Sequence, residues 1–247
     1  MTATPLSLPA GEAMLPALLS LPPAARGLVV FVHGSGSSRF SPRNQAVAAR
    51  LQRAGLATLL FDLLTPAEAE RDQLDASWRC RLDLFRDRLL EILSWLAAQP
   101  RLADLCPVGL FGASSGAAVA LQAAAVRPAA VGAVVSRGGR PDLAGEALAA
   151  VMAPTLLIVG GEDAAVLRLN REAAARLRCP NRLVLVPGAS HLFEEPGALE
   201  AVAGLTCDWF LHHLPGTEPT AAEANPSPAP PAQGLAGAGE IHPWSSD

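Results

Sequence analysis

The chain has 247 residues, half of them apolar and 17% charged, with 19 basic against 23 acidic side chains and a formal net charge of −4. This length suits one α/β domain with a segment to spare, and the apolar share is ample for a large core. No basic block stands out, which argues against a nucleic-acid partner. The apolar runs are strand-sized and broken by Gly, Pro or charge, so no membrane span is expected.

The first residues, Met1 to Pro5, lack a basic stretch leading into an apolar core, so no secretory leader and a cytoplasmic location are expected. Cys80, Cys106, Cys179 and Cys207 are scattered and form no CxxC pair, which favours reduced thiols over a disulfide framework or a zinc site. A weak strand near Leu6 and another within Gly11 to Ser20 suggest an antiparallel edge. Strands then follow at Leu28 to Val32, Ala57 to Phe61, Val108 to Phe111, Val131 to Val135, Thr155 to Val159 and Leu183 to Val186. Their successive apolar residues suit parallel strands covered on both faces. Helical spacing occupies Asn44 to Ala54, Trp78 to Ala98, Ser115 to Ala125, Val166 to Leu177 and Pro196 to Leu214. The alternation predicts a three-layer α/β fold, a mostly parallel sheet with helices on both faces. Right-handed crossovers place the strand C-termini on one edge, where ligands bind. Residues 1–215 form this expected domain. Residues 216–247, rich in Pro, Ala and Gly, read as a disordered tail.

The chemistry sits at the strand ends. Val108 to Phe111 runs into Gly112-Ala113-Ser114-Ser115-Gly116, and an Ala-rich segment follows. Strand, sharp turn and helix form the context of a nucleophile elbow, in which flanking glycines make room for a strained, raised serine. The plainer alternative is a Gly/Ser turn that only joins strand to helix. A serine nucleophile needs a base, and His191, past the last strand, is well placed. His33, at an earlier strand end, is its main rival. The base needs an acid. Gly160-Gly161-Glu162-Asp163 supplies two, with Asp163 preferred because it stands farther along the turn; Asp142 and Glu194 are remoter options. The loop His33-Gly34-Ser35-Gly36 can aim backbone N–H groups at a developing oxyanion, which gives Ser35 N–H and Ser115 N–H as the expected pair. The same loop lacks the Lys-Ser/Thr ending of a phosphate cradle.

Together, His33-Gly-Ser-Gly-Ser-Ser-Arg39, Gly112-Ala-Ser-Ser-Gly116, Gly160-Gly-Glu-Asp163 and Gly188-Ala-Ser-His191 resemble the α/β-hydrolase superfamily, and most closely its dienelactone-hydrolase-like branch. The resemblance runs from about Leu6 to Leu214 and implies the α/β-hydrolase fold, a Ser114–Asp163–His191 triad and an oxyanion amide at Ser35. It also favours Asp163 over Glu162. Dienelactone hydrolase proper uses a cysteine nucleophile, whereas this elbow carries Ser114, so the dienelactone substrate itself is not implied. Members of this kind are sometimes fused to a phosphoribosyltransferase.

The implied activity is hydrolysis of small to medium esters or lactones, with no metal or organic cofactor. Acyl transfer or perhydrolysis through the same triad, and a non-catalytic binding module, are the alternatives. Arg137, just past the strand Val131 to Val135, is a candidate for binding a substrate carboxylate or phosphate, and Arg140 shares its loop. Arg39, Arg43 and Asn44 raise the same question. Leu63 to Ser77 reads as a short acidic connection without a large lid, which suggests an open site.

Overall fold

The computed structural model describes residues 3–214, so the expected tail at 216–247 lies outside the described residues. The strands are β1 (Thr4–Ala10), β2 (Ala13–Ser20), β3 (Leu28–Val32), β4 (Ala57–Phe61), β5 (Val108–Ala113), β6 (Val131–Arg137), β7 (Thr155–Gly160) and β8 (Asn181–Val186). They form one eight-stranded sheet in the order β1-β2-β4-β3-β5-β6-β7-β8. The β1–β2 pair and the β2–β4 pair are antiparallel, and every pairing from β4 through to β8 is parallel. The opening hairpin is therefore as expected, except that β2 lies inside the sheet and β1 forms its edge.

Helices α1 (Pro42–Arg53), α2 (Pro66–Asp75), α3 (Leu82–Ala98), α4 (Gly116–Val126), α5 (Ala164–Arg176) and α6 (Ala198–His213) complete the frame. Successive strand side chains point to opposite faces, so the buried run of β3 feeds two cores at once. Leu28, Val30 and Val32 pack with Phe85, Leu89 and Ile92 of α3 and the alanines of α4. Val29 and Phe31 pack on the other face with Val47 and Leu51 of α1 and Val202 and Phe210 of α6. Phe31 meets Phe111 of β5 with ring centroids 4.8 Å apart. Every residue of β3, β4, β5 and β7 is buried, as a sheet covered on both faces requires.

Two local departures have physical causes. The segment read as a bare connection at Leu63 to Ser77 contains α2. Its start is a capping box: Thr65 Oγ1 accepts the Glu68 N–H at 3.3 Å, and the Glu68 carboxylate accepts the Thr65 N–H at 2.8 Å. Bidentate bonds from buried Arg88 to Glu68, 2.8 and 2.7 Å, tie α2 to α3. The long helix expected from Trp78 begins only at Leu82, because Trp78 and Arg79 turn back to bond the Asp72 carboxylate. Among the described residues, no helix is long and apolar enough to cross a membrane.

Candidate active site

Ser114 stands between β5 and α4 with φ of +50°. That conformation costs an L-residue about 1–2 kcal/mol and persists only where its surroundings enforce it. Here the Ser114 N–H donates to Arg137 O at 3.2 Å, and Ser114 O accepts the N–H groups of Ala117 and Arg140 at 3.1 and 3.0 Å. The flanking glycines are sterically required. A Cβ on Gly112 would lie 2.5 Å from Ala117 Cα, and one on Gly116 would lie 2.2 Å from Val32 O. Their absence lets the first turn of α4 close onto β5 and β3.

His191 lies between β8 and α6, and its Nδ1 is 2.7 Å from Asp163 Oδ2. Asp163 caps α5, where its other oxygen accepts the Val166 N–H at 3.2 Å. One carboxylate thus fixes both the helix start and the imidazole. The structure brings Asp163 to His191, and neither Glu162, Asp142 nor Glu194 stands in its place: Asp142 pairs with Arg140 and Glu194 with Arg43. The end of β7 reaches this loop because Gly160 has no side chain; a Cβ there would lie 2.4 Å from both Ala189 O and Ser190 O.

His33 does not compete for the base role. Its Nε2 accepts the Leu63 N–H at 3.0 Å, so Nδ1 carries the proton and donates to Gly34 O at 2.9 Å. The ring pins the Gly34–Ser35 loop to the chain after β4. Burial pushes its pKa below the usual 6.5, against a smaller opposing effect of the Gly34 bond. An unfolded chain then takes up a proton that the folded one refuses, so stability is lost as pH falls below about 6.5. Denaturant midpoints between pH 7 and 5 should fall for the native chain and fall less steeply for His33→Asn.

The two expected oxyanion donors are adjacent, but one is engaged. Ser35 N–H donates to Ser115 Oγ at 2.9 Å, the two hydroxyls are also 2.9 Å apart, and Ser35 Oγ donates to Arg79 O at 2.8 Å. Ser115 is the N-cap of α4, so its own N–H belongs to the unshared donors of a helix start.

Ser114, His191, Ser35, Arg137, Arg43 and Asn44 line one cavity of about 250 Å³. Arg137 is only 8% exposed. Its Nη2 reaches Asn44 Oδ1 at 3.4 Å, while its Nε is buried without a hydrogen-bond partner. Burial, then the neighbouring Arg43 charge, lowers its pKa to about 10, which leaves it cationic at neutral pH. Arg43 bonds Glu194 at 3.0 Å through Nη1, and its Nε too is buried without a partner. Arg140 is held bidentately by Asp142, at 2.9 and 2.8 Å, so it shapes the loop. Arg39 is paired with Asp62 and does not line the cavity. A second cavity of about 400 Å³ adjoins the first at Gly34, Ser35, Ser37 and Ser41, and α2 forms one of its walls. That wall, missed in the sequence, was signalled by the Thr65-x-x-Glu68 spacing.

A mostly parallel eight-stranded sheet, with a serine elbow after β5, an acid after β7 and a histidine after β8, defines an α/β hydrolase. The chain belongs to the dienelactone hydrolase family, whose sequence profile matches residues 15–211. It is similar to a dienelactone hydrolase from Anabaena variabilis of known structure, with 54% identity, a TM-score of 0.85, and coverage of 86% of this chain and 98% of that one. Est1E from Butyrivibrio proteoclasticus shares the fold at 17% identity and a TM-score of 0.69, over 85% of this chain and 98% of that one. A curated Mycobacterium tuberculosis protein named "Putative phosphoribosyl transferase" is 56% identical over 211 residues, which are 85% of this chain but 46% of that protein. The chain thus spans less than half the length of that curated relative.

Proposed function

We propose that this hydrolase cleaves carboxylic esters or lactones of small to medium size through an acyl-enzyme on Ser114. The observation that carries this reading is Ser114 at φ +50°, sharing a cavity with a His191 already bonded to Asp163 at 2.7 Å. His191 takes the proton of Ser114 Oγ as that oxygen attacks the carbonyl carbon. The tetrahedral oxyanion is held by the N–H groups of Ser35 and Ser115. Its collapse expels the alcohol, which receives the proton from His191. Water, deprotonated by His191, then attacks the acyl carbon, and collapse of this second intermediate breaks the bond to Ser114 Oγ, which takes the proton back from His191 as the acid leaves. Asp163 keeps the imidazole in the required tautomer and stabilises its cation. Protein side chains, backbone amides and water supply every step. The phosphoribosyl transferase name of the longer relative is assigned, on this reading, to the part of that protein outside the shared segment.

A fluorophosphonate probe should label the native chain stoichiometrically and leave Ser114→Ala unlabelled. Labelling that persists in the variant would overturn the assignment. The two adjoining cavities, about 250 and 400 Å³, limit the size of the ester. In a series of p-nitrophenyl esters, kcat/KM should peak at short to medium acyl chains, and equal rates on very long chains would contradict the size limit.

A further inference from the structure

We propose that Asp72 is a positioning residue for the oxyanion amide of Ser35, acting through the backbone of Arg79. This rests on the hydrolase reading above and adds to it a carboxylate that lines the larger cavity and not the one holding Ser114 and His191.

A carboxylate is costly to take out of water unless donors compensate it. Asp72 is the buried residue of α2, at 5% exposure, where a helix usually buries an apolar side chain. Its acceptors all serve the segment that follows. Oδ1 accepts the Trp78 N–H at 2.9 Å, and Oδ2 accepts Arg79 Nε–H at 3.1 Å. Its carbonyl accepts the Ala76 N–H at 2.9 Å and Arg79 Nη2 at 3.4 Å. Residues 73–81 are exposed except for Trp78, which is half-buried, so packing does little to hold them. The bonds to Asp72 fix where Arg79 lies.

Arg79 in turn holds the oxyanion loop. A serine hydroxyl has one proton, and a carbonyl can only accept. The Ser35 proton therefore goes to Arg79 O, at 2.8 Å. The 2.9 Å contact between the two hydroxyls must then use the Ser115 proton. Ser115 Oγ thus accepts the Ser35 N–H and donates to Ser35 Oγ. During turnover the oxyanion replaces Ser115 Oγ as the acceptor of that N–H. Arg79 O is then a contact of Ser35 that need not break as its amide changes partner. The His33 ring fixes Gly34, and the Arg79 carbonyl fixes the next residue. Asp72 is the origin of the second hold.

The test measures Asp72→Asn on p-nitrophenyl butyrate, with rates taken per fluorophosphonate-labelled site so that unfolded protein does not count. An amide that acts on the transition state shows in kcat. Asp72→Asn should lower kcat about tenfold, short of the hundred- to thousandfold that loss of a whole donor costs, and leave KM within about twofold. The second-order rate of fluorophosphonate labelling, which also builds charge on an oxygen in the hole, should fall by a similar factor. Ser35→Ala keeps the amide and loses the anchor, so it should show the same division. The Asp72→Asn/Ser35→Ala double variant should lose no more than the larger single loss, because both act along one chain of contacts. Losses that multiply, a loss confined to KM, or native kcat and labelling rate in Asp72→Asn overturn the positioning role. Arg79→Gln, altered at a side chain 44% exposed, covers the case in which Asp72→Asn does not fold. It should lower kcat about threefold, again without adding to Ser35→Ala, and native kcat there overturns the role. A native chain that neither labels nor turns over the ester overturns the hydrolase reading and the positioning role together. A native chain that labels, with variants that match it, overturns the positioning role alone.

Discussion

Ser114→Ala should lower kcat on a p-nitrophenyl ester by about ten-thousandfold to a millionfold, with Tm almost unchanged. The side chain lost is the attacking atom, so no neighbouring group can replace its contribution. The backbone at this position is held by three hydrogen bonds to main-chain atoms, none of which uses the hydroxyl. Ala is no worse than Ser at φ +50°, and the fold should not register the change. His191→Ala should cost about as much as Ser114→Ala, and the double variant little more, since the groups act as one unit. Asp163→Asn should lose about ten-thousandfold through the wrong imidazole tautomer. Asn still caps α5, so its Tm should stay near the native value. Steady-state kinetics with parallel calorimetry separates these outcomes from general unfolding.

Gly116→Ala should produce the opposite division, a large loss of stability. The added Cβ would sit 2.2 Å from Val32 O and 2.5 Å from His33 O, both backbone atoms at the buried end of β3. Neither can move without dragging the strand, so α4 must retreat. The expected cost is about 4 kcal/mol, a fall in Tm of about 8–16 °C for a domain of this size. The retreat also carries the Ser115 amide away from Ser35, so the protein that remains folded should be slow. Gly204→Ala is the control. It lies in α6 with nothing within 4 Å of the new Cβ, and should raise stability by about 0.5–1 kcal/mol. Equal melting of the two variants would refute the steric account of the elbow.

Much of this frame is legible in the sequence because of burial on both faces. β3 begins and ends where its unbroken apolar run does, and β4 spans the expected Ala57 to Phe61 even though Thr58 interrupts its apolar residues. β8 begins two residues earlier than its apolar run, since Asn181 and Arg182 extend an exposed sheet edge where no hydrophobic signal is needed. α2 went unread because its residues are charged and small, although the Thr65–Glu68 box marked its start. The positions of Ser114, Asp163 and His191 followed from strand order. The isolation of Arg137 did not. Sequence places two arginines on one loop, and only the folded chain shows that Arg140 captures Asp142 and leaves Arg137 buried among neutral and cationic groups. The contact between Ser35 and Ser115, 80 positions apart, was equally out of reach of local patterns.

That contact bears on how the proposed oxyanion hole tells one charge state from another. Between turnovers the Ser35 N–H already holds a neutral oxygen, the Ser115 hydroxyl, at 2.9 Å. An arriving ester carbonyl offers the same amide another neutral acceptor and gains little by displacing the first. An oxyanion offers a hydrogen bond about twice as strong. The hydroxyl works like a tare on a balance: it cancels the weight of the ground state and leaves the developing charge as what the site registers.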